Sequence, residues 1–139
     1  MNNSIDFVLD CSVTMPWCFE DETTEYTESV LNSFNIKKAI VPAIWPLEVT
    51  NVLLMTLKHK RITKIQAINF YNQLEQLPIT ISKNKKLNNF IGIFELGEEL
   101  KLTSYDAVYL ELALAHNIPI ATLDKQLIEA AKKSGIKIY

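Results

Sequence analysis

The stretch FVLDCSV, residues 7–13, places a carboxylate directly after an apolar run. Its first three residues are bulky and apolar, which is typical of a short buried β-strand. Asp10 follows them, at the point where such a strand would pass into a loop. An acid there can cap a turn, or it can belong to a group of ligands gathered at the end of a sheet. The choice depends on whether the rest of the chain supplies partner acids.

The totals fit one globular domain that covers residues 1–139, because the chain is 48% hydrophobic and long enough to bury a core. No apolar run reaches membrane-spanning length, and the N-terminus lacks a basic region followed by a long apolar one. We therefore expect a soluble cytoplasmic protein. Cys11 and Cys18 show neither CxxC spacing nor a histidine at finger spacing, so we expect two reduced thiols.

Short runs rich in β-branched residues alternate with segments of helical periodicity. This alternation predicts an α/β fold, a three-layer α/β/α sandwich around a parallel sheet of about five strands. The predicted strands are 5–9, 39–41, 79–82, 118–122 and 136–139, and the predicted helices are 23–33, 46–59, 63–77, 87–100, 104–116 and 125–134.

Four acids stand in otherwise apolar sequence: Asp10, Glu48, Asp106 and Asp124. Each has an ordinary local role available, as a turn cap, a first-turn acid, part of a capping box or a helix N-cap. In a parallel sheet, however, the carboxyl ends of the strands and the starts of the following helices share one edge, where ligands bind. We therefore expect all four carboxylates at that edge.

Carboxylates held close together in apolar surroundings repel one another and lose hydration, so either some of them are protonated or a cation neutralises them. Oxygen ligands without histidine or thiol favour Mg²⁺ or Mn²⁺. Such an ion can activate a bound water and stabilise charge on phosphoryl oxygens. The acid group therefore points to phosphodiester hydrolysis.

The charge is unevenly distributed along the chain. Residues 1–57 carry eight acids against two lysines, whereas residues 58–101 carry eight bases against four acids. The basic segments 58–64 and 83–86 are either solvated faces or surfaces that hold phosphates.

The motifs LDCSV (9–13), VPAIWPLEVTNVLL (41–54), LTSYDAVYLELA (102–113) and IPIATLDKQL (118–127) resemble the PIN-domain family in order and spacing. The similarity is greatest to the VapC-type ribonuclease toxins of type II toxin–antitoxin pairs. This resemblance implies a single PIN domain that cleaves RNA endonucleolytically, using Mg²⁺ or Mn²⁺ and a metal-activated water. The catalytic and metal-binding residues that it implies are Asp10, Glu48, Asp106 and Asp124.

In this family pattern Asp10, Asp106 and Asp124 would hold the metal directly, and Glu48 would bind it through water or position the nucleophile. Ser12 and Thr122 match hydroxyl residues that would orient the carboxylates. Asn51 lies one turn after Glu48 and could reach the same pocket. Possible RNA-binding residues are Lys58, Lys60, Arg61, Lys64, Lys83, Lys85 and Lys86.

The resemblance also implies an RNA substrate, a cognate antitoxin protein and a homodimer. The apolar helical hairpin at 46–77 is the predicted docking surface, with Trp45, Phe70 and Tyr71 as candidate anchors. One alternative is a PIN-fold protein that acts mainly as a partner-binding module. A phosphatase or receiver-like domain is another, although Ser12 stands where a haloacid-type phosphatase would have a second aspartate.

Overall fold

The computed structural model describes residues 4–83, 87 and 89–139. Strands and helices alternate along this part of the chain, as the sequence predicts. The strands are β1 (Phe7–Leu9), β2 (Ala39–Val41), β3 (Ile79–Ile81) and β4 (Ile120–Ala121). The helices are α1 (Cys11–Thr14), α2 (Glu25–Ser33), α3 (Trp45–Lys58), α4 (Lys64–Glu75), α5 (Asn89–Leu100), α6 (Ser104–His116) and α7 (Lys125–Lys133).

The four strands form one parallel sheet with the order β3-β2-β1-β4. Val8 pairs with Ile40 on one side and with Ile120 on the other, so β1 is an inner strand. The prediction of a fifth strand at 136–139 is wrong, because this segment forms a single parallel bridge, between Ile120 and Ile138. Because β4 is only two residues long, it offers few backbone groups to which a further strand could hydrogen-bond.

Helices cover both faces of the sheet, which confirms the sandwich architecture. Helices α1, α2 and α3 contact one another, and α6 contacts α5, α7 and the inner strand β1. Right-handed crossovers place these two groups on opposite faces of the sheet. All three residues of β1 are fully buried, as expected for a strand covered on both sides.

Helices α5 and α6 approach each other closely at their connection. The N–H of Leu102 donates to the carbonyl oxygen of Gly97 at 2.9 Å. A Cβ atom at position 97 would lie 3.0 Å from the carbonyl oxygen of Leu102, so glycine allows this close approach. The tight connection fixes the start of α6 relative to the sheet.

Two local predictions need correction. The segment after Asp10, where a loop is expected, continues as the short helix α1 and is followed by two 3-10 turns, Met15–Trp17 and Glu20–Glu22. Trp45 and Phe70 are buried, so neither is available as a docking anchor, and Tyr71 is half-buried. None of the helices in the described part of the chain combines the length and apolar character needed to cross a membrane.

Candidate functional site

The sheet changes its direction of winding between β1 and β4. The chain proceeds from β1 outward to β2 and β3, and then returns to place β4 on the other side of β1. Such a switch point opens a crevice at the carboxyl ends of the two strands, where α/β proteins bind ligands. Asp10 directly follows β1 and Thr122 directly follows β4, so both residues border this crevice.

The Asp10 carboxylate is buried and held by two hydroxyl groups. Its Oδ2 atom accepts hydrogen bonds from Ser12 Oγ at 2.6 Å and from Thr122 Oγ1 at 2.8 Å. Asp10 occupies the N-cap position of α1, yet its side chain makes no capping hydrogen bond there. The capping role that the sequence left open is therefore not what this carboxylate does. Its oxygens face other side chains.

Burial raises the pKa of Asp10 above its ordinary value, and the negative charge of Asp124 raises it further. Hydrogen bonds from Ser12, Thr122 and the backbone of Cys11 act in the opposite direction, since they stabilise the ionised form. The two hydroxyls thus offset part of the cost of keeping a charged group inside the protein.

Thr122 links two of the four acids. Besides donating to Asp10, its Oγ1 accepts the backbone N–H of Asp124 at 3.0 Å. Asp124 caps α7, where its Oδ1 accepts the N–H of Leu127 at 3.1 Å. Ser12 reinforces the connection by accepting the N–H of Leu123 at 2.9 Å. The predicted hydroxyl pair therefore joins the ends of β1 and β4, residues 112 positions apart in sequence.

Glu48 lies in the first turn of α3 and is half-buried. Its Oε1 accepts a hydrogen bond from the hydroxyl of Tyr109, a fully buried residue of α6. Burial raises the pKa of Glu48, the charges of Asp10 and Asp106 raise it further, and the Tyr109 hydrogen bond lowers it. Tyr109 was not predicted as a site residue, although its position one turn after Asp106 was a usable signal.

Asp106 lies in the first turn of α6, and its N–H donates to the capping oxygen of Thr103 at 3.2 Å. Burial raises its pKa, as do the charges of Asp124 and Asp10, while Thr103 lowers it. The carboxylates thus influence one another across three different helices. The N-termini of α3, α6 and α7 also contribute positive dipole ends to this edge of the sheet.

The family model for the PIN domain matches residues 7–133. The chain belongs to the PIN domain family. PIN domains are generally nucleases and typically use Mg²⁺ or Mn²⁺, which favours the nuclease interpretation over the phosphatase or receiver-like one.

This PIN domain is also similar in fold to a solved structure, PAE2754 from Pyrobaculum aerophilum, with a TM-score of 0.65. The two sequences are 16% identical, and the alignment covers 91% of this chain and 84% of that one. No curated protein sequence matches the chain significantly.

The donor set of this PIN domain suits a hard cation, because it consists of carboxylate and hydroxyl oxygens. Across residues 4–83, 87 and 89–139, no three Asp, Glu, His or Cys side chains lie close enough together to hold a metal as they are placed. A Mg²⁺ site does not require three, since this ion is commonly bound through one or two carboxylates, waters and substrate phosphate. Burial, and secondarily the charges of the neighbouring acids, raises the pKa values of Asp10, Glu48 and Asp106, and a cation would offset both effects by stabilising the ionised carboxylates.

One predicted site residue, Asn51, and one neighbouring thiol, Cys11, are less closely tied to the acids. Asn51 is exposed, and its side chain makes no hydrogen bond within the described part of the chain. Cys11 begins α1, and burial together with the charges of Glu48 and Asp10 raises the pKa of its thiol to about 12. The expectation of two reduced thiols agrees with the structure, in which Cys11 and Cys18 are both free.

Among the described basic residues, Lys83 and Lys58 differ in how far they stand from the acids. Lys83 is exposed and follows β3 at the same sheet edge, two strands or roughly 10 Å from β1. Lys58 lies ten residues beyond Glu48 on α3, roughly 15 Å away along the helix axis. The remaining predicted residues Lys60, Arg61 and Lys64 are exposed, and Lys85 and Lys86 lie outside the described residues.

Arg61 already has partners within the protein. Its guanidinium nitrogens lie 3.4 Å from Asp21 and 3.9 Å from Glu22. The same group stacks 4.7 Å from the ring centre of Phe19. Binding RNA through Arg61 would require giving up these contacts, so Lys83 is the better-placed candidate for a phosphate contact.

Proposed function

We propose that this PIN domain is a Mg²⁺- or Mn²⁺-dependent endoribonuclease. The observation that carries the proposal is the Asp10 carboxylate, which is buried at the switch point and hydrogen-bonded by Ser12 and Thr122. A buried acid with two oriented donors and no capping role is built to present an oxygen to a ligand. Resemblance to the ribonuclease toxins supports RNA as the proposed substrate.

Asp10, Asp106 and Asp124 would hold the ion after moving closer together than they stand without it, and Glu48 would bind it through water or position the attacking water. When bound, the ion would lower the pKa of the water it coordinates and neutralise charge on the phosphoryl oxygens. Tyr109 fixes Glu48 in one orientation by donating to Oε1. Hydrolysis joins the water oxygen to phosphorus and breaks the bond to the 3′ oxygen, leaving 5′-phosphate and 3′-hydroxyl ends.

The test is cleavage of RNA by purified protein with Mn²⁺, compared with the variant Asp10→Asn. We expect this variant to lose more than about 100-fold in rate, since an activated water supplies several kcal/mol of transition-state stabilisation. Asp21→Asn is the matched control, because Asp21 is an exposed aspartate that only contacts Arg61. Equal cleavage by wild type and Asp10→Asn would identify a contaminating nuclease and end the proposal.

We further propose that the nuclease is the cytoplasmic toxin of a toxin–antitoxin pair, forms a homodimer and binds a small antitoxin protein. Support comes from the resemblance and from large apolar side chains exposed on the α3–α4 hairpin: Leu47, Leu54, Met55, Ile65 and Ile68. Scattered apolar side chains are common on protein surfaces, but a group this dense on one hairpin suits a partner interface. This set replaces the buried Trp45 and Phe70 as candidate anchors.

The partner proposal is tested by co-purification with the product of the neighbouring small gene. Ile65→Glu is expected to abolish the complex, because it places a charge in the proposed apolar contact. Ile36→Glu is the control, since Ile36 is equally exposed, at 82%, but lies outside the hairpin. If the neighbouring product binds both variants as it binds wild type, the hairpin is not the docking surface.

A further inference from the structure

An apolar groove of about 250 Å³ lies between α5 and α6. Phe90 and Ile93 line it from α5, and Tyr105 and Val108 line it from α6. The two aromatic residues are 52% and 59% exposed, so their rings are available to a ligand. The volume is below the roughly 300–1,000 Å³ of pockets for drug-sized ligands, which limits the occupant to about one ring system.

The charged side chain in this α5–α6 groove has no hydrogen-bond partner among the described residues. Glu111 lines the groove and is half-buried, and its carboxylate makes no hydrogen bond within the described residues. Its electrostatic neighbour is His116, five residues further along α6. A half-buried carboxylate among apolar residues is complementary to a ligand that combines a flat apolar ring with N–H donors.

The groove is lined by residues that neighbour two of the acids along the chain. Tyr105 precedes Asp106 directly on α6, and Ile44, also in the groove wall, lies one turn before Glu48. Two segments of chain therefore border both the groove and the acids. A strand of nucleic acid with a phosphate at the acids would have its neighbouring bases within reach of the groove.

We propose that the α5–α6 groove binds a single nucleobase of the RNA strand beside the phosphate to be cut, an inference that rests on the proposed ribonuclease function. The base stacks against Phe90 or Tyr105, as unstacked RNA bases commonly do on aromatic side chains. Glu111 accepts hydrogen bonds from the base edge. Guanine is the preferred base, since its N1–H and N2–H₂ groups offer one carboxylate two adjacent donors.

The aromatic residues and Glu111 are expected to produce different defects. Phe90→Ala and Tyr105→Ala should each weaken binding of every base by roughly 5- to 150-fold, because stacking is insensitive to base identity. Glu111→Gln should instead weaken guanine binding by a similar factor and leave uracil binding unchanged, so that the preference for guanine is lost. Phe94→Ala is the control, since Phe94 is an exposed phenylalanine one turn along α5 that does not line the groove.

Two measurements separate this inference from the ribonuclease proposal. The first is an NMR titration of the metal-free protein with guanosine and with uridine, which needs no catalysis. We expect shifts of backbone amides in residues 89–93 and 104–112, tighter binding of guanosine, and loss of both shifts in Tyr105→Ala. The second is KM for short RNAs that carry guanine, inosine or uracil beside the cut site, with wild type and Glu111→Gln.

Guanosine binding without any RNA cleavage would end the ribonuclease proposal and leave the groove as a base-binding site. Normal cleavage, with the same KM for Tyr105→Ala as for wild type and no nucleoside shifts, would overturn the groove inference alone. If Tyr105→Ala and Phe90→Ala disrupt binding of the antitoxin candidate but leave nucleosides and KM unaffected, the groove receives a protein side chain and the inference is wrong.

Discussion

Replacing Thr122 with valine tests whether the hydroxyl that supports Asp10 contributes to metal binding, while the Asp10 carboxylate itself stays in place. The substitution preserves the shape of a side chain that is 2% exposed, but it removes the hydroxyl that donates to Asp10 at 2.8 Å. A hydrogen bond to a charged group contributes about 1.5–3 kcal/mol. The N–H of Asp124 also loses its acceptor, at a cost in stability of about 1–3 kcal/mol.

The proposed ion would bind the ionised Asp10 carboxylate in the orientation that Thr122 fixes, so the lost hydrogen bond should appear as lost metal affinity. An energy of 1.5–3 kcal/mol corresponds to a roughly 10- to 150-fold increase in the Kd for Mn²⁺, in line with the effect of removing residues that support metal ligands. The hydrogen bond also lowers the pKa of Asp10. Its removal should therefore raise that pKa and move the acidic limb of metal binding to higher pH.

The assay is calorimetric titration of Mn²⁺ into wild type, Thr122→Val and Thr122→Ser, with thermal unfolding to establish that each variant is folded. Thr122→Ser retains the hydroxyl and should bind Mn²⁺ within about threefold of wild type, inside the usual context-dependence of a single hydrogen bond. Two results would refute the reasoning. One is unchanged affinity in Thr122→Val, and the other is an equal loss in both variants, which would indicate packing and not the hydroxyl.

Three further outcomes follow from the same group of residues. In EDTA at pH 7, Asp10→Asn should unfold at a higher temperature than wild type. The raised pKa of Asp10 in the folded protein stabilises the fold at low pH, and this stability is lost as the pH rises and the carboxyl ionises. Equal unfolding temperatures at pH 7 would contradict the burial argument. Saturating Mn²⁺ should stabilise wild type by about 2.7 kcal/mol at 100 times Kd but leave Asp10→Asn unaffected in thermal unfolding scans. Tyr109→Phe should raise the pKa of Glu48 and shift the acidic limb of kcat/KM to higher pH, whereas an unshifted limb would exclude Glu48 from the reaction.

The sequence predicts the sheet well because the strands and helices depend on local signals, and the position of the acids at one sheet edge follows from the sheet. Asp10 and Asp124 follow apolar strands, and the parallel topology then brings them to one edge. Helix boundaries agree to within about two residues, since caps such as Thr63 and Thr103 mark them. Ser12 and Thr122 came from the family resemblance, and the structure brings both hydroxyls to Asp10.

What the sequence misses depends on contacts between distant segments. Tyr109 reads as one more apolar residue of α6 until α3 places Glu48 against it. Arg61 reads as an RNA-binding residue until the turn that carries Asp21 folds back to pair with it. Similarly, the segment 136–139 has the composition of a strand, but whether it extends the sheet depends on the length of β4.

The bond between Thr122 and Asp10 also determines when the site can exist during protein synthesis. Asp10 is translated first, and Thr122, whose hydroxyl donates to it, follows 112 residues later. Only then can β1 pair with β4 and become an inner strand of the sheet. Nascent chains fold from the N-terminus as they emerge, so a chain that stops before residue 122 leaves Asp10 without this donor. A ribosome translating this message therefore carries no complete form of the proposed site until residues 120–124 have left the exit tunnel. Because the site is assembled from segments far apart in sequence, its formation is delayed until these residues emerge.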